Sequence, residues 1–360
     1  MRPFEWTRLA AALLVLCGTL GVPAWIVLAA GSGSAGAQAP RELRETGLYA
    51  DPSTQRIASD VLAFRPQYPL WTDGARKRRW IRLPAGSSID ASDPDAWRFP
   101  VGTQLWKEFA YERRVETRYM QLGGDGRWVY ATYVWSPDGR SASLAPQRGL
   151  RGACQSTSGA PHDIPSELDC RACHQGTPSE VLGFSALQLS SARTSREPGD
   201  NAAELQLDDF VARGWIRDLP REFRERAPQI AARSERERAV LGYLHGNCAS
   251  CHNARGPLAE LGLDLEFSLA RGSSAVRTSV GVESRFQLAE LERSERIVPG
   301  APHASVLFRR ISSRDPLLQM PALGTHVVDT AAVELVSQWI EQDLAPARLA
   351  DTHSSHQRQR

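Results

Sequence analysis

Two short cysteine motifs constrain this chain more than any other feature. Cys170-Arg-Ala-Cys173-His174 and Cys248-Ala-Ser-Cys251-His252 both read C-x-x-C-H. Of the six cysteines, Cys17 lies in an apolar N-terminal run, Cys154 stands alone, and the other four make up these two pairs. With 8 His in 360 residues, the chance that random placement puts a His after both pairs is about one in 2,000. C-x-x-C-H is the haem c attachment signature. Two thiols three positions apart on a helical turn can add to the two vinyl groups of one porphyrin, and the adjacent imidazole then meets the iron. The expectation is therefore two covalently bound haem c groups, on Cys170/Cys173 and on Cys248/Cys251, with His174 and His252 as axial iron ligands. A four-cysteine zinc ribbon would place its pairs ~15–20 residues apart, far closer than Cys173 and Cys248. Redox-active thiol pairs are the other alternative, since exported C-x-x-C pairs also serve oxidoreductases.

The N-terminus reads as an export segment. Arg2 and Arg8 precede an uncharged run from Leu9 to Ala30, and Ala35-Gly36-Ala37 offers the small-residue pattern that signal peptidase accepts before Gln38. Residues 1–37 are either a cleaved signal peptide or an N-terminal anchor, because ~20 apolar residues also suffice to span a bilayer. Both readings place the remainder in the periplasm, since the positive flank stays inside. Membrane contact is expected only through such an anchor. The 43 basic and 41 acidic residues leave a net charge of +2, without the basic excess of a nucleic-acid binder, so no nucleic-acid partner is expected. Lysine occurs only at Lys77 and Lys107, which reads as a compositional habit.

Residues 45–150 carry strand signals. Trp80-Ile-Arg-Leu83, Gln104–Tyr111 and Trp128–Trp135 are aromatic and β-branched runs, separated by Pro84-Ala-Gly86, Gly123-Gly-Asp-Gly126 and Pro137-Asp-Gly139. In the strand that carries them, Glu116, Arg118 and Met120 share one face. A Gly, Ser and Pro-rich linker follows from Gln147 to Pro165. Helical spacing then appears over Asn201–Ile216, Ser234–Leu244, Ala304–Ile311 and Asp329–Leu344, the last with Asp329 as N-cap and a stripe of Val333, Leu335, Val336, Trp339 and Ile340. The expected fold class is α+β: an N-terminal β-sandwich or jelly-roll-like domain, then an all-α dihaem region. Its first haem c region covers residues 160–232 and its second 233–345. A polar tail, 346–360, holds His353 and His356 in solvent.

The second motif, the scarce Met320-Pro321 and a closing helix with Trp339 resemble a class I cytochrome c. The resemblance implies His252 as proximal ligand and Met320 as the sixth ligand of the same iron. Thioether ligation raises a haem's reduction potential. The other His252 nitrogen is expected to bond a backbone carbonyl, with that of Pro257 as a candidate. No Met lies between His174 and the second motif. The leading sixth ligand for the first haem is His245, with a capping or core role weighed equally. Met120 comes next, then His162, His303 and His326, and a five-coordinate iron remains open. Cys154 reads as a buried thiol.

Tyr68-Pro-Leu-Trp-Thr-Asp-Gly74, Phe99-Pro-Val-Gly-Thr103, Val115-Glu-Thr-Arg118 and Tyr133-Val-Trp135 resemble a family of exported bacterial dihaem cytochromes with a β-rich N-terminal half. Pro165-Ser166, Leu182-Gly-Phe184, Tyr243-Leu-His-Gly-Asn-Cys248, Val298-Pro-Gly300 and Met320-Pro-Ala-Leu323 are similar to cytochrome domains that accompany PQQ-dependent dehydrogenases. The resemblance implies a single-electron carrier rather than an enzyme. Its partner would be a periplasmic redox protein, a PQQ-dependent dehydrogenase among the candidates, with the β-rich half as scaffold or docking element. The alternative is a dihaem peroxidase-like or other redox enzyme with an open first haem.

Overall fold

In the computed structural model residues 38–192 and 204–345 are described, within a unit that spans residues 36–360. The expected export segment with Cys17, the first residues of the expected Asn201–Ile216 helix, and the tail with His353 and His356 lie outside them. Among the described residues no helix is long and apolar enough to cross a membrane.

The aromatic runs form a six-stranded antiparallel sheet of Leu62–Phe64, Arg76–Arg82, Gln104–Ala110, Arg114–Leu122, Trp128–Trp135 and Ala142–Leu144, neighbours in that order. Both faces are buried. One face presents Trp80, Trp106, Tyr119, Ala131, Tyr133 and Trp135 to Leu43, Leu48, Ala58 and Val61 of the preceding segment. The other presents Ile81, Leu105, Met120, Leu122, Trp128 and Tyr130 to Val181, Phe184, Leu189, Phe210 and Ile216. Each large apolar side chain so covered contributes roughly 1.5–3 kcal/mol.

These two covers correct the expected sandwich or jelly roll. Among the described residues the only other ladders are two-stranded. The role of a second sheet falls to irregular chain on one side and to the C-terminal half on the other. Ile216–Arg217 even pairs in parallel with Ile89–Asp90.

The all-α expectation for the C-terminal half is corrected as well. Helices make up 23% of the described residues, and most of those after residue 165 are short: Leu207–Ala212, Arg221–Glu225, Ala275–Ser279 and Val306–Ile311 have six residues or fewer. Between them lie a strand pair, Phe267–Ser268 with Gly272–Ser273, and long irregular connections. Gly256-Pro257, Gly262, Gly281 and Pro299-Gly300 interrupt the helical pattern, because Gly costs a helix interior about 1 kcal/mol and Pro about 3. Side chains satisfy the backbone instead. Arg296 donates to the carbonyls of Leu261, Gly262 and Thr278, and Asp95 accepts from the N–H groups of Leu269 and Ala270.

Two longer helices carry the C-terminal core. Glu235–Asn247 is capped by Ser234, whose hydroxyl accepts from Glu237 N, and Thr330–Gln338 is capped by Asp329, whose carboxylate accepts from Ala332 N. They bury Val240, Leu241 and Leu244 against Val336, Trp339 and Ile340.

The Tyr68–Gly74 loop ties this core to the sheet. A Cβ on Gly242 would lie 2.1 Å from the Tyr68 ring, and one on Gly246 would lie 2.5 Å from the Tyr68 carbonyl oxygen. Trp71 N donates to Asn247 Oδ1 at 2.6 Å, and Trp71 Nε1 donates to Val327 O at 3.0 Å. Asp73 accepts from the N–H groups of His326 and Val327. Gly→Ala in an open helix interior stabilises by up to about 1 kcal/mol. At Gly242 the sign should reverse, with Gly242→Ala losing about 1–3 kcal/mol to overpacking in urea unfolding. A neutral or stabilising result would mean that Tyr68 does not rest on this helix.

Candidate functional site

The first motif occupies the helix Glu167–His174. Ser166 starts it with a reciprocal cap: its hydroxyl accepts from Asp169 N at 3.1 Å, and the Asp169 carboxylate accepts from Ser166 N at 2.9 Å. The helix lies across the strand Trp128–Trp135, and Cys170 packs against the core that contains Met120 and Tyr130. His174 Nδ1 is 2.7 Å from Glu180 O. A carbonyl only accepts, so Nδ1 carries the proton. Burial pushes the imidazole down to about 4, so at neutral pH the ring is uncharged and Nε2 keeps its lone pair. Tyr130 completes this shell, its ring 5.3 Å from that of His174 and its hydroxyl donating to Glu180 Oε2 at 2.7 Å. Glu180 holds a left-handed φ of 56°, a conformation that costs a non-glycine residue about 1–3 kcal/mol and here aims both its acceptors.

The second motif forms the turn that ends the helix Glu235–Asn247. Cys248 N donates to Leu244 O, and His252 N donates to Cys248 O at 2.9 Å. Burial lowers the pKa of the His252 imidazole, with Arg310 and Arg296 adding to the effect. The His252 carbonyl accepts from Leu265 N, whereas its buried Nδ1 has no hydrogen-bond partner. The Pro257 carbonyl therefore does not hold it. Met320 packs against the same core as Tyr243 and Cys248, and its N–H donates to Arg310 O at 2.9 Å.

The two motifs meet. Asn253, 2% exposed, donates from Nδ2 to Gly176 O at 2.9 Å and to Ala249 O at 2.6 Å. Its Oδ1 accepts from the N–H groups of Arg255 and Gly256. A Cβ on Gly176 would lie 2.0 Å from Ser250 O, so only glycine permits this approach. Cys251 lies close enough to Cys173 to contribute to raising its pKa. Burial is the larger cause there, and it also pushes Cys170 up to about 11 and Cys248 up to about 12. Reactive redox thiols have depressed values, so these three lack the character of thiolate nucleophiles. All four motif sulfurs are free of disulfides.

The other expected ligands are engaged elsewhere. His245 Nδ1 accepts from Phe267 N at 3.1 Å, and burial pushes its pKa down to about 4. Its neutral ring thus carries the proton on Nε2, and its contacts are those of a core histidine. His162 is bonded on both nitrogens, to Tyr111 Oη at 3.1 Å and Glu116 Oε1 at 3.2 Å. His326 Nε2 reaches Asp163 Oδ2 at 3.1 Å, and His303 packs edge-on against Phe308. Met120 shares its sheet face with Glu116 and Arg118 and joins the core under Cys170. Cys154, half-buried, stands opposite His162 in the hairpin Leu150–Gln155/Pro161–Ile164.

The cofactor expectation is corrected at this point. Two haem c groups were expected on Cys170/Cys173 and Cys248/Cys251. Among the described residues, however, no group of three or more His, Cys, Asp or Glu side chains is placed to hold a metal ion. His174 Nδ1 is tied to a carbonyl and His245 Nδ1 to a backbone amide. No family model, curated protein or solved structure matches this chain.

Sequence reading missed Glu180, Asn253 and Gly176. The only available signals were the positions of Gly176 and Asn253 immediately downstream of the motifs. Asn253→Ala should leave Gly176 O and two N–H groups without their partner and cost about 1–3 kcal/mol in urea unfolding. A cost near zero would show that the motifs are not stapled there.

His245 sets a pH dependence. Its unfolded pKa near 6.5 exceeds the folded value of about 4, so the unfolded chain binds the proton first as pH falls. Its contribution is complete above pH 6.5 and is lost progressively towards pH 4, up to about 3 kcal/mol. His245→Gln, whose amide oxygen can accept from Phe267 N, should flatten the urea-unfolding profile over that window. An unchanged slope would assign the acid loss to other groups.

Proposed function

We propose that this protein is an exported single-electron carrier whose redox work is done where the two C-x-x-C-H segments meet. The observation that carries this reading is the Asn253 staple, which fixes the two segments against each other with Cys173 beside Cys251. A chain that held two unrelated motifs would have no reason to bury an asparagine between them. The raised thiols argue against dithiol exchange as the alternative, and a dithiol couple moves two electrons at a time. The sequence resemblance to electron-transfer proteins supports the same reading, as does the export pattern read at the N-terminus, with the periplasm as the proposed compartment. Its partner is a periplasmic redox protein, and a PQQ-dependent dehydrogenase is the first to test.

Exported protein should take up electrons one at a time in a reductive titration. Cys170→Ala/Cys173→Ala and Cys248→Ala/Cys251→Ala should each diminish that uptake. A titration without any one-electron wave would end the proposal.

A further inference from the structure

The sheet face beneath the motifs carries an unusual row of charge. Arg79, Lys107 and Arg118 stand directly opposite one another on three neighbouring strands. The adjoining row on the same face, Ile81, Leu105 and Met120, packs under Cys170. Rows two residues apart along a strand are ~7 Å apart, so the cations lie beside the first motif. Lys107 and Arg118 both act electrostatically on Cys173 and on His174. Like charges directly opposite one another destabilise a sheet, and burial sharpens the cost.

The partners of each cation show where charge is left over. Lys77 donates to Leu70 O at 2.7 Å, and Arg79 is buried and engaged. Arg118 gives two N–H groups to Glu116 Oε1, at 3.2 and 2.7 Å. Glu116 is fully buried and is shared with His162. Asp169, on the motif helix, is spent on the Ser166 cap. Among the described residues Lys107 has no hydrogen-bond acceptor, and the carboxylate that acts on it, Glu116, is already bonded to Arg118 and His162. Its nitrogen lies 4.9 Å from the Phe109 ring centroid, and the Arg118 guanidinium lies 4.3 Å from the same ring. Lys107 is half-buried, and burial together with Arg79, Arg118 and Lys77 pushes its amine well below the usual range. The two lysines of the chain are thus both on this face, which the arginine-rich composition elsewhere does not lead one to expect.

We propose that Lys107 and Arg118 form a binding site for a small oxyanion or carboxylate at the junction of the sheet with the first motif. Lys107 supplies a point charge and Arg118 a planar set of donors, and the bound anion relieves the repulsion along the row. The anion is one free in solution.

Acetylation by acetic anhydride, read by peptide mass spectrometry on exported protein, tests the site, with Lys77 as internal control. Phosphate or malonate replacing chloride at constant ionic strength should slow acetylation of Lys107 about tenfold at ten times the dissociation constant, leaving Lys77 unchanged. Equal rates in chloride and phosphate, equal slowing of both lysines, or inertness of Lys107 in every buffer overturns the proposal.

Discussion

The seat of Tyr68 on the helix Glu235–Asn247 is the contact on which the rest depends. Gly242 and Gly246 lie one turn apart and leave the space that the Tyr68 ring and carbonyl occupy. The loop therefore reaches the helix backbone, where Asn247 can bond Trp71 N. From that anchorage Trp71 and Asp73 extend to the segment after Met320, through Val327 O and the N–H groups of His326 and Val327. One loop of the sheet half thereby positions both the helix that ends in Cys248 and the chain that carries Met320. A larger residue at either glycine would separate three elements at once.

Burial decides the chemistry available at the motifs. Low-dielectric surroundings disfavour charge of either sign, so the same cause keeps His174 neutral and holds Cys170 and Cys248 protonated. A neutral imidazole with a fixed Nδ1 proton presents one lone pair in one direction. Protonated thiols are poor nucleophiles and poor redox agents. The two motifs differ in one respect: His174 is held by Glu180 O, whereas His252 Nδ1 is buried without a partner. The first imidazole is oriented by the protein on two sides, by Glu180 and by Tyr130, and the second is oriented by packing alone.

Local features of the sequence were legible wherever a short stretch determines its own geometry. The strand Trp128–Trp135 and the caps at Ser234 and Asp329 follow from alternation and from side chains that bond their own backbone. Helical spacing over Asn201–Ile216 was misleading at its end. Gly214, at φ 71°, stops the helix, and Ile216 pairs with Ile89 instead. The expected sandwich failed for a related reason: alternation shows that both faces of a sheet are covered, but not by what. Here the cover comes from chain more than 50 residues away, as with Phe184 and Phe210 against Trp128 and Tyr130. Glu180 was invisible because nothing in its neighbours announces a left-handed glutamate. The contact of His245 was not legible, because its partner, Phe267 N, lies in a loop whose path no local pattern fixes.

The sheet is more than a platform for the second half, because its polar residues are placed where its apolar ones stop. Along the strand Arg114–Leu122, Met120 lies under Cys170, Arg118 comes next on the same face, and Glu116 follows, bonded to both Arg118 and His162. Moving along one strand thus passes from apolar support, to positive charge, to a buried hydrogen-bonded chain ending at Tyr111. A purely structural face would have continued the apolar row, since replacing buried ions by well-packed hydrophobic residues is often neutral or stabilising by ~1–4 kcal/mol. Retaining Arg118 and Lys107 beside Cys173 carries a cost in stability, which an anion bound at that junction would offset.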